Sequence, residues 1–156
     1  MRVTTYRTKL TENKRVELEK EVSVNIPELT AIRSPQCVAE LANGYLEMNK
    51  LPEEHLYMVC LNTKNKIIGV FELSHGNVNS SIFGVREMFQ KALLLNAVHI
   101  IILHNHPSGD CTPSSEDIKA TERAIEAGRI VGVEVLDHII VGDNCYTSLK
   151  EKGYMQ

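Results

Sequence analysis

What the sequence lacks excludes several chemistries at once. A net charge of −3 over 156 residues offers no basic field for a phosphate backbone and argues against strong non-specific nucleic-acid binding. No glycine loop of the nucleotide-binding kind is present. The four cysteines, Cys37, Cys60, Cys111 and Cys145, are scattered and form no CxxC pair. Neither a signal-peptide pattern nor a membrane-length apolar run is found, so a cytoplasmic protein with free thiols and no membrane partner is expected. What remains is ordinary for a globular chain, with 43% hydrophobic and 24% charged residues. One domain is expected at this length.

The chemistry concentrates in one stretch, His104-Asn105-His106-Pro107-Ser108-Gly109-Asp110-Cys111-Thr112-Pro113-Ser114-Ser115-Glu116-Asp117. It follows the apolar run Val98 to Leu103, which reads as a buried strand. Alternate strand residues share a face, so His104 and His106 project together while Asn105 points away. Pro107 and Gly109 turn the chain, and a helix starts near Ser115. That turn can return Asp117 over the histidines. Two imidazoles and one carboxylate leave a position open for water, the pattern of a catalytic zinc. Plainer readings stand beside this one. Ser114-x-x-Asp117 also fits a helix capping box, and two histidines at i, i+2 also fit a polar strand end.

The spacing His104-x-His106, seven residues, Ser114, two residues, Asp117 resembles the JAMM motif of MPN-domain metalloproteases. The wording His104-Asn105-His106-Pro107-Ser108-Gly109, with Pro113-Ser114, is similar to the RadC branch of that family. So are Arg86-Glu87 with Ala92-Leu93, Leu136 to Gly142, and Ser148 to Gly153. The resemblance runs over about residues 36–153. It implies a zinc hydrolase of the peptidase or isopeptidase type, in a family historically labelled as DNA repair. DNA enters as a partner only through that label. The helix-hairpin-helix region often carried by full-length relatives has no counterpart in the pattern here.

JAMM proteins carry a glutamate upstream of the histidine pair as general base. The position matched to it is Glu72, in Phe71-Glu72-Leu73; Glu87, in a predicted helix, is the competitor. Zinc hydrolysis needs such a carboxylate to move the proton of the attacking water. Ser114 is assigned as a donor to the developing oxyanion. A zinc-bearing interaction or DNA-processing module without peptidase chemistry is the alternative class. A zinc deaminase is disfavoured, since its Pro-Cys-x-x-Cys segment and its Glu two residues after a ligand His are both absent. A fourth ligand from Cys111 is also considered, and Cys111 is expected instead to face outward in the turn.

The remaining elements follow from pattern. Residues 1–33 read as an N-terminal extension with strands at Arg2 to Leu10 and Val16 to Ile26, the second having one buried face. Residues 34–156 read as the main domain. Ser34-Pro35 opens a helix, weakened at Gly44 and ended by Leu51-Pro52. Leu56 to Leu61 and Ile67 to Leu73 form a hairpin. His75 to Ser81 is a loop bordering the site, Val85 to Ala92 a helix, and Ile118 to Ile125 a helix closed by Gly128. Val131 to Val141 is a strand in which Asp137-His138 is either a hydrogen-bonded pair within the sheet or a support for a zinc ligand. The fold class expected is α/β, in the α+β sense: a mixed, largely antiparallel sheet flanked by two or three helices, of MPN type.

Overall fold

A computed structural model describes residues 1–27, 29–76 and 83–155 of the chain. Seven strands make one sheet: β1 (Arg2–Leu10), β2 (Val16–Asn25), β3 (His55–Leu61), β4 (Ile67–His75), β5 (His99–Asn105), β6 (Glu134–Val141) and β7 (Tyr146–Ser148). Three helices accompany them: α1 (Pro35–Gly44), α2 (Val85–Leu94) and α3 (Ser115–Val131). The strand order is β2-β1-β4-β3-β5-β6-β7. Only β1 with β4 and β5 with β6 run parallel; the other neighbours are antiparallel. The expected mixed, largely antiparallel architecture with flanking helices is what the chain adopts.

The period-2 alternation of β3 and β5 builds a core on each face of the sheet. Val59, Leu61, Ile101 and Leu103 pack with Val38, Leu41 and Ala42 of α1. Met58, Cys60, Ile100 and Ile102 point the other way, to Met88, Phe89 and Ala92 of α2 and to Ala120 and Ala124 of α3. His104 continues the Ile100–Ile102 series. Strand parity therefore delivers it to the face that α3 covers.

Helix ends follow their chemistry. Ser34 caps α1 by accepting from Cys37 N–H, with Pro35 in the first turn. The helix stops at Gly44, and a separate 3-10 turn, Met48–Lys50, leads to Leu51-Pro52. α3 does not close at Gly128 as the sequence suggests. It continues to Val131 and ends on Gly132, whose φ of 75° is the left-handed conformation glycine adopts cheaply. Gly128 serves packing instead, since a Cβ there would crowd the Val133 carbonyl and Phe89.

The N-terminal hairpin also departs from expectation. β1 continues the main sheet through Thr5 opposite Val70 of β4. β2 is covered only near its start, where Leu18 packs against the core, while Val22 is 55% and Val24 41% exposed. As the outermost strand it pairs with β1 alone, so Val22 and Val24 are left largely uncovered.

The loop from His106 to Ser114 is held against the end of β6. Asp143 N–H donates to the Gly109 carbonyl (2.9 Å), and His106 N–H donates to the Val141 carbonyl (2.9 Å). Cys111 and Cys145 form a disulfide with Cα atoms 6.3 Å apart. This corrects the expectation of four free thiols and of an outward-facing Cys111; Cys37 and Cys60 are free. Gly142 lies directly under the loop, and a Cβ there would collide with the Gly109 carbonyl. Gly142→Ala is expected to cost about 1–3 kcal/mol, as overpacking of close-packed sites does. A fall in the denaturant midpoint at unchanged slope would register it.

Candidate metal centre

His104 is buried at the end of β5, Asp117 is buried in the first turn of α3, and His106 lies just past the strand. The structure brings all three together. His104 Nδ1 is 3.1 Å from Asp117 Oδ1, and His106 Nε2 is 3.6 Å from Asp117 Oδ2. The two rings meet edge to face with centroids 4.8 Å apart. His106 Nδ1 lies 2.7 Å from the Asp110 carbonyl. A ring nitrogen facing a carbonyl carries the proton, so Nε2 keeps its lone pair for the site.

Asp117 is held from several sides. The Ser114 N–H and Oγ–H each donate to Asp117 Oδ2 at 2.7 Å, and Asp117 N–H donates back to Ser114 Oγ at 3.1 Å. That is a complete capping box. Burial by itself would push the Asp117 carboxyl up, but His104, His106 and Ser114 together outweigh it and hold the group well below the usual carboxylate range. The neighbouring Asp117 carboxylate in turn raises the pKa of His106, against the effect of burial. The Ser114 proton assigned from the sequence to an oxyanion is engaged with Asp117.

The sequence-matched base, Glu72, is not in this group. Its Oε1 lies 2.6 Å from His55 Nδ1 and 3.5 Å from His75 Nδ1. The reason is topological: β3 stands between β4 and β5, with Tyr57 paired to Glu72 on one side and to Leu103 on the other. Two strand spacings, roughly 9.5 Å, separate Glu72 from β5. Glu87 is exposed in the first turn of α2, paired with Arg86. The carboxylate that reaches the histidines is Glu54, with Oε2 3.7 Å from His104 Nε2. Glu54, His104 and His106 offer ligand atoms all within 4.8 Å of one another.

Asn105 explains why Glu54 is there. Its side chain accepts from His55 N–H (2.6 Å) and donates to the Glu53 carbonyl (3.0 Å), bracketing Glu54 from the neighbouring strand. The signal available in the sequence was the phrase Glu53-Glu54-His55 opening the strand that pairs with β5.

The surrounding residues sort as follows. Asp137 accepts from Ser148 Oγ–H (2.6 Å), His138 N–H (2.8 Å) and Lys150 N–H (3.1 Å), tying β6 to the chain after β7. His138 lies with its ring 6.0 Å from that of His104, and its Nδ1 is 2.7 Å from Thr121 Oγ1. Thr121 Oγ–H donates to the Asp117 carbonyl. So Asp137 is the packed structural residue, whereas His138 backs the histidine pair. His99, 2.8 Å from Asn65, lies outside the group. Of the loop expected to border the site, Asn77 to Ser81 fall outside the described residues.

The donor set fits a divalent transition metal. His104 Nδ1 and Asp117 Oδ1 are buried without a hydrogen-bond partner, as is His138 Nε2. Buried polar atoms are normally satisfied, and such orphans at the ends of ligand-type side chains suit a cation.

A mixed sheet carrying a His-x-His strand end, an aspartate on the next helix and a neighbouring glutamate defines a JAB-type (MPN) domain. The RadC-like JAB domain family matches residues 32–154, and the chain belongs to that family. It is 52% identical over 124 residues to a UPF0758 protein of Desulfitobacterium hafniense, covering 80% of this chain and 54% of that protein. It is 46% identical over 140 residues to a UPF0758 protein of Moorella thermoacetica, covering 90% and 60%. A UPF0758 protein of Bacillus cereus is 50% identical over 125 residues, covering 80% and 55%. The chain thus spans between about half and three-fifths of the length of these relatives. No helix among the described residues is long and apolar enough to cross a membrane.

Two expectations follow from this geometry. Asn105→Ala removes both bonds that bracket Glu54 and strands the His55 N–H; about 1–3 kcal/mol should be lost, readable by denaturant unfolding. Burial pushes the His138 pKa down to about 3 from an ordinary 6.5. Between those values the unfolded chain binds a proton that the folded chain refuses, so stability rises with pH across the window. It is fully present above 6.5 and declines as pH falls toward 3. In chelator-treated protein, His138→Gln should flatten the slope above about pH 5, where carboxylates have finished titrating.

Proposed function

We propose that this domain is a zinc-dependent hydrolase that cleaves an amide bond in a peptide or isopeptide substrate. The observation that carries the reading is the convergence of Glu54 on a pair of histidines already bridged by Asp117. His104, His106 and Asp117 would hold the metal, three ligands leaving one position open. Zinc, when bound, supplies Lewis acidity that polarises a carbonyl and brings the pKa of a coordinated water to about 7.

The chain's own residues do the rest. Glu54 replaces Glu72 as the proposed base: its carboxylate takes the proton of the attacking water and returns it to the departing nitrogen. Asn105 positions Glu54 through the backbone on either side of it. Ser114 orients Asp117, and the Asp110 carbonyl orients His106. Both contacts fix which lone pairs face the centre.

Glu54→Gln keeps the shape but cannot accept a proton. It should retain zinc and lose at least ~100-fold in turnover, the low end of general-base catalysis. His104→Ala and His106→Ala should lose the metal itself, measured by elemental analysis. The assay is a screen of peptides and lysine-linked isopeptides, followed by kcat on the best substrate. Wild-type turnover by Glu54→Gln, or full zinc in both histidine variants, overturns the proposal.

A further inference from the structure

A second group of ligand-type side chains lies on the far side of the β3 entry, where the mechanism above uses nothing. His55, Glu72 and His75 offer one ligand atom each, all within 4.8 Å of one another. His55 Nδ1 is 2.6 Å and His75 Nδ1 3.5 Å from the same oxygen, Glu72 Oε1. The two imidazoles stack with centroids 5.5 Å apart. His55 and His75 are cross-strand partners at the open end of the β3–β4 ladder.

Glu72 and His75 are three residues apart, and a regular strand would send them to opposite faces. The pairing prevents this. His55 opposes His75 and Leu56 opposes Ser74, but Tyr57 opposes Glu72, so Leu73 is skipped. That one-residue bulge resets the alternation and puts the carboxylate on the same face as both rings. Bulges re-aim side chains in this way and concentrate next to functional sites.

We propose that His55, Glu72 and His75 form a second site for a divalent transition metal, distinct from the His104–His106–Asp117 centre. Two imidazoles and a carboxylate select zinc and its first-row neighbours over magnesium or calcium, which prefer all-oxygen sites. Ligand atoms on a tetrahedral zinc lie roughly 3.3 Å apart, from bond lengths near 2.0–2.1 Å. The Glu72–His75 separation of 3.5 Å is already close to that value. The His55–Glu72 pair must open from 2.6 Å, a fraction of an ångström. His75 is 64% exposed on its side chain, so its ring can swing in and the remaining position opens to water. The ion would fix His55, whose backbone neighbour is Glu54. This site does not depend on the hydrolase reading.

Metal-stripped protein is titrated with zinc by equilibrium dialysis and the bound ion counted by elemental analysis. Wild type should bind two equivalents, and His75→Ala and Glu72→Gln one each. His104→Ala should also bind one, and His75→Ala combined with His104→Ala none. Both single variants at the new site are conservative for folding, His75 being exposed and Gln isosteric with Glu; an unchanged melting curve of the stripped protein confirms it. A wild-type stoichiometry of one that His75→Ala retains, or two equivalents in His75→Ala, overturns the second site and leaves a hydrogen-bonded triad. One equivalent lost in His75→Ala but kept in His104→Ala upholds the second site and overturns the first.

Discussion

A carboxylate that is 1% exposed at the start of α3 is the constraint on which this structure turns. A buried charge is tolerated only where it is paired and hydrogen-bonded. Asp117 is answered through Oδ2 by the Ser114 backbone and hydroxyl, by two neighbouring imidazoles, and by its place in the first helical turn, where the dipole favours an anion. Each answer fixes a different part of the fold. The cap sets where α3 begins, the imidazoles set where β5 ends, and the loop between them must be short and turned. Gly109, at φ 84°, and the Cys111–Cys145 disulfide hold that loop to the β6–β7 turn.

This is why so much of the centre was readable from fourteen consecutive residues. Period-2 parity gave the shared face of His104 and His106, and the helix-start residues put Asp117 in a first turn; all three are local facts. The glutamate that reaches the histidines was not a local fact. Placing Glu54 rather than Glu72 beside them required knowing that β3, not β4, is the neighbour of β5. Glu54 precedes β3 and Glu72 lies within β4, two strands of one hairpin, and periodicity carries no information about sheet order. Asn105 held the missing clue, a polar residue at the end of an apolar run and aimed away from the histidines. Its partners are backbone atoms fifty and fifty-two positions away, which no local pattern displays.

The other departures share that character. Gly128 has the composition of a helix stop, but tertiary packing against Phe89 and the Val133 carbonyl determines its place. β2 alternates like a half-buried strand and lies at the sheet edge, because alternation records which residues can share a face, not whether a layer covers it. Cys111 and Cys145 are 34 residues apart, in two turns that meet only after β5 and β6 pair in parallel. Spacing rules for cysteines address ligand pairs close in sequence, so this pairing lay beyond them.

The sequence offered capping and chemistry as competing readings of Ser114 and Asp117, and the geometry dissolves the choice. A capping box needs the side chain three residues in to accept from the cap residue, which directs one carboxylate oxygen, Oδ2, to Ser114. The other oxygen, Oδ1, is thereby turned toward His104 and left without a hydrogen-bond donor. The cap is thus the device that presents an unsatisfied lone pair to the centre. An aspartate in this role costs the helix nothing, since the same position is favoured by the dipole. A serine whose hydroxyl is committed to that aspartate contributes through it, by fixing the orientation of the carboxylate that faces the two histidines.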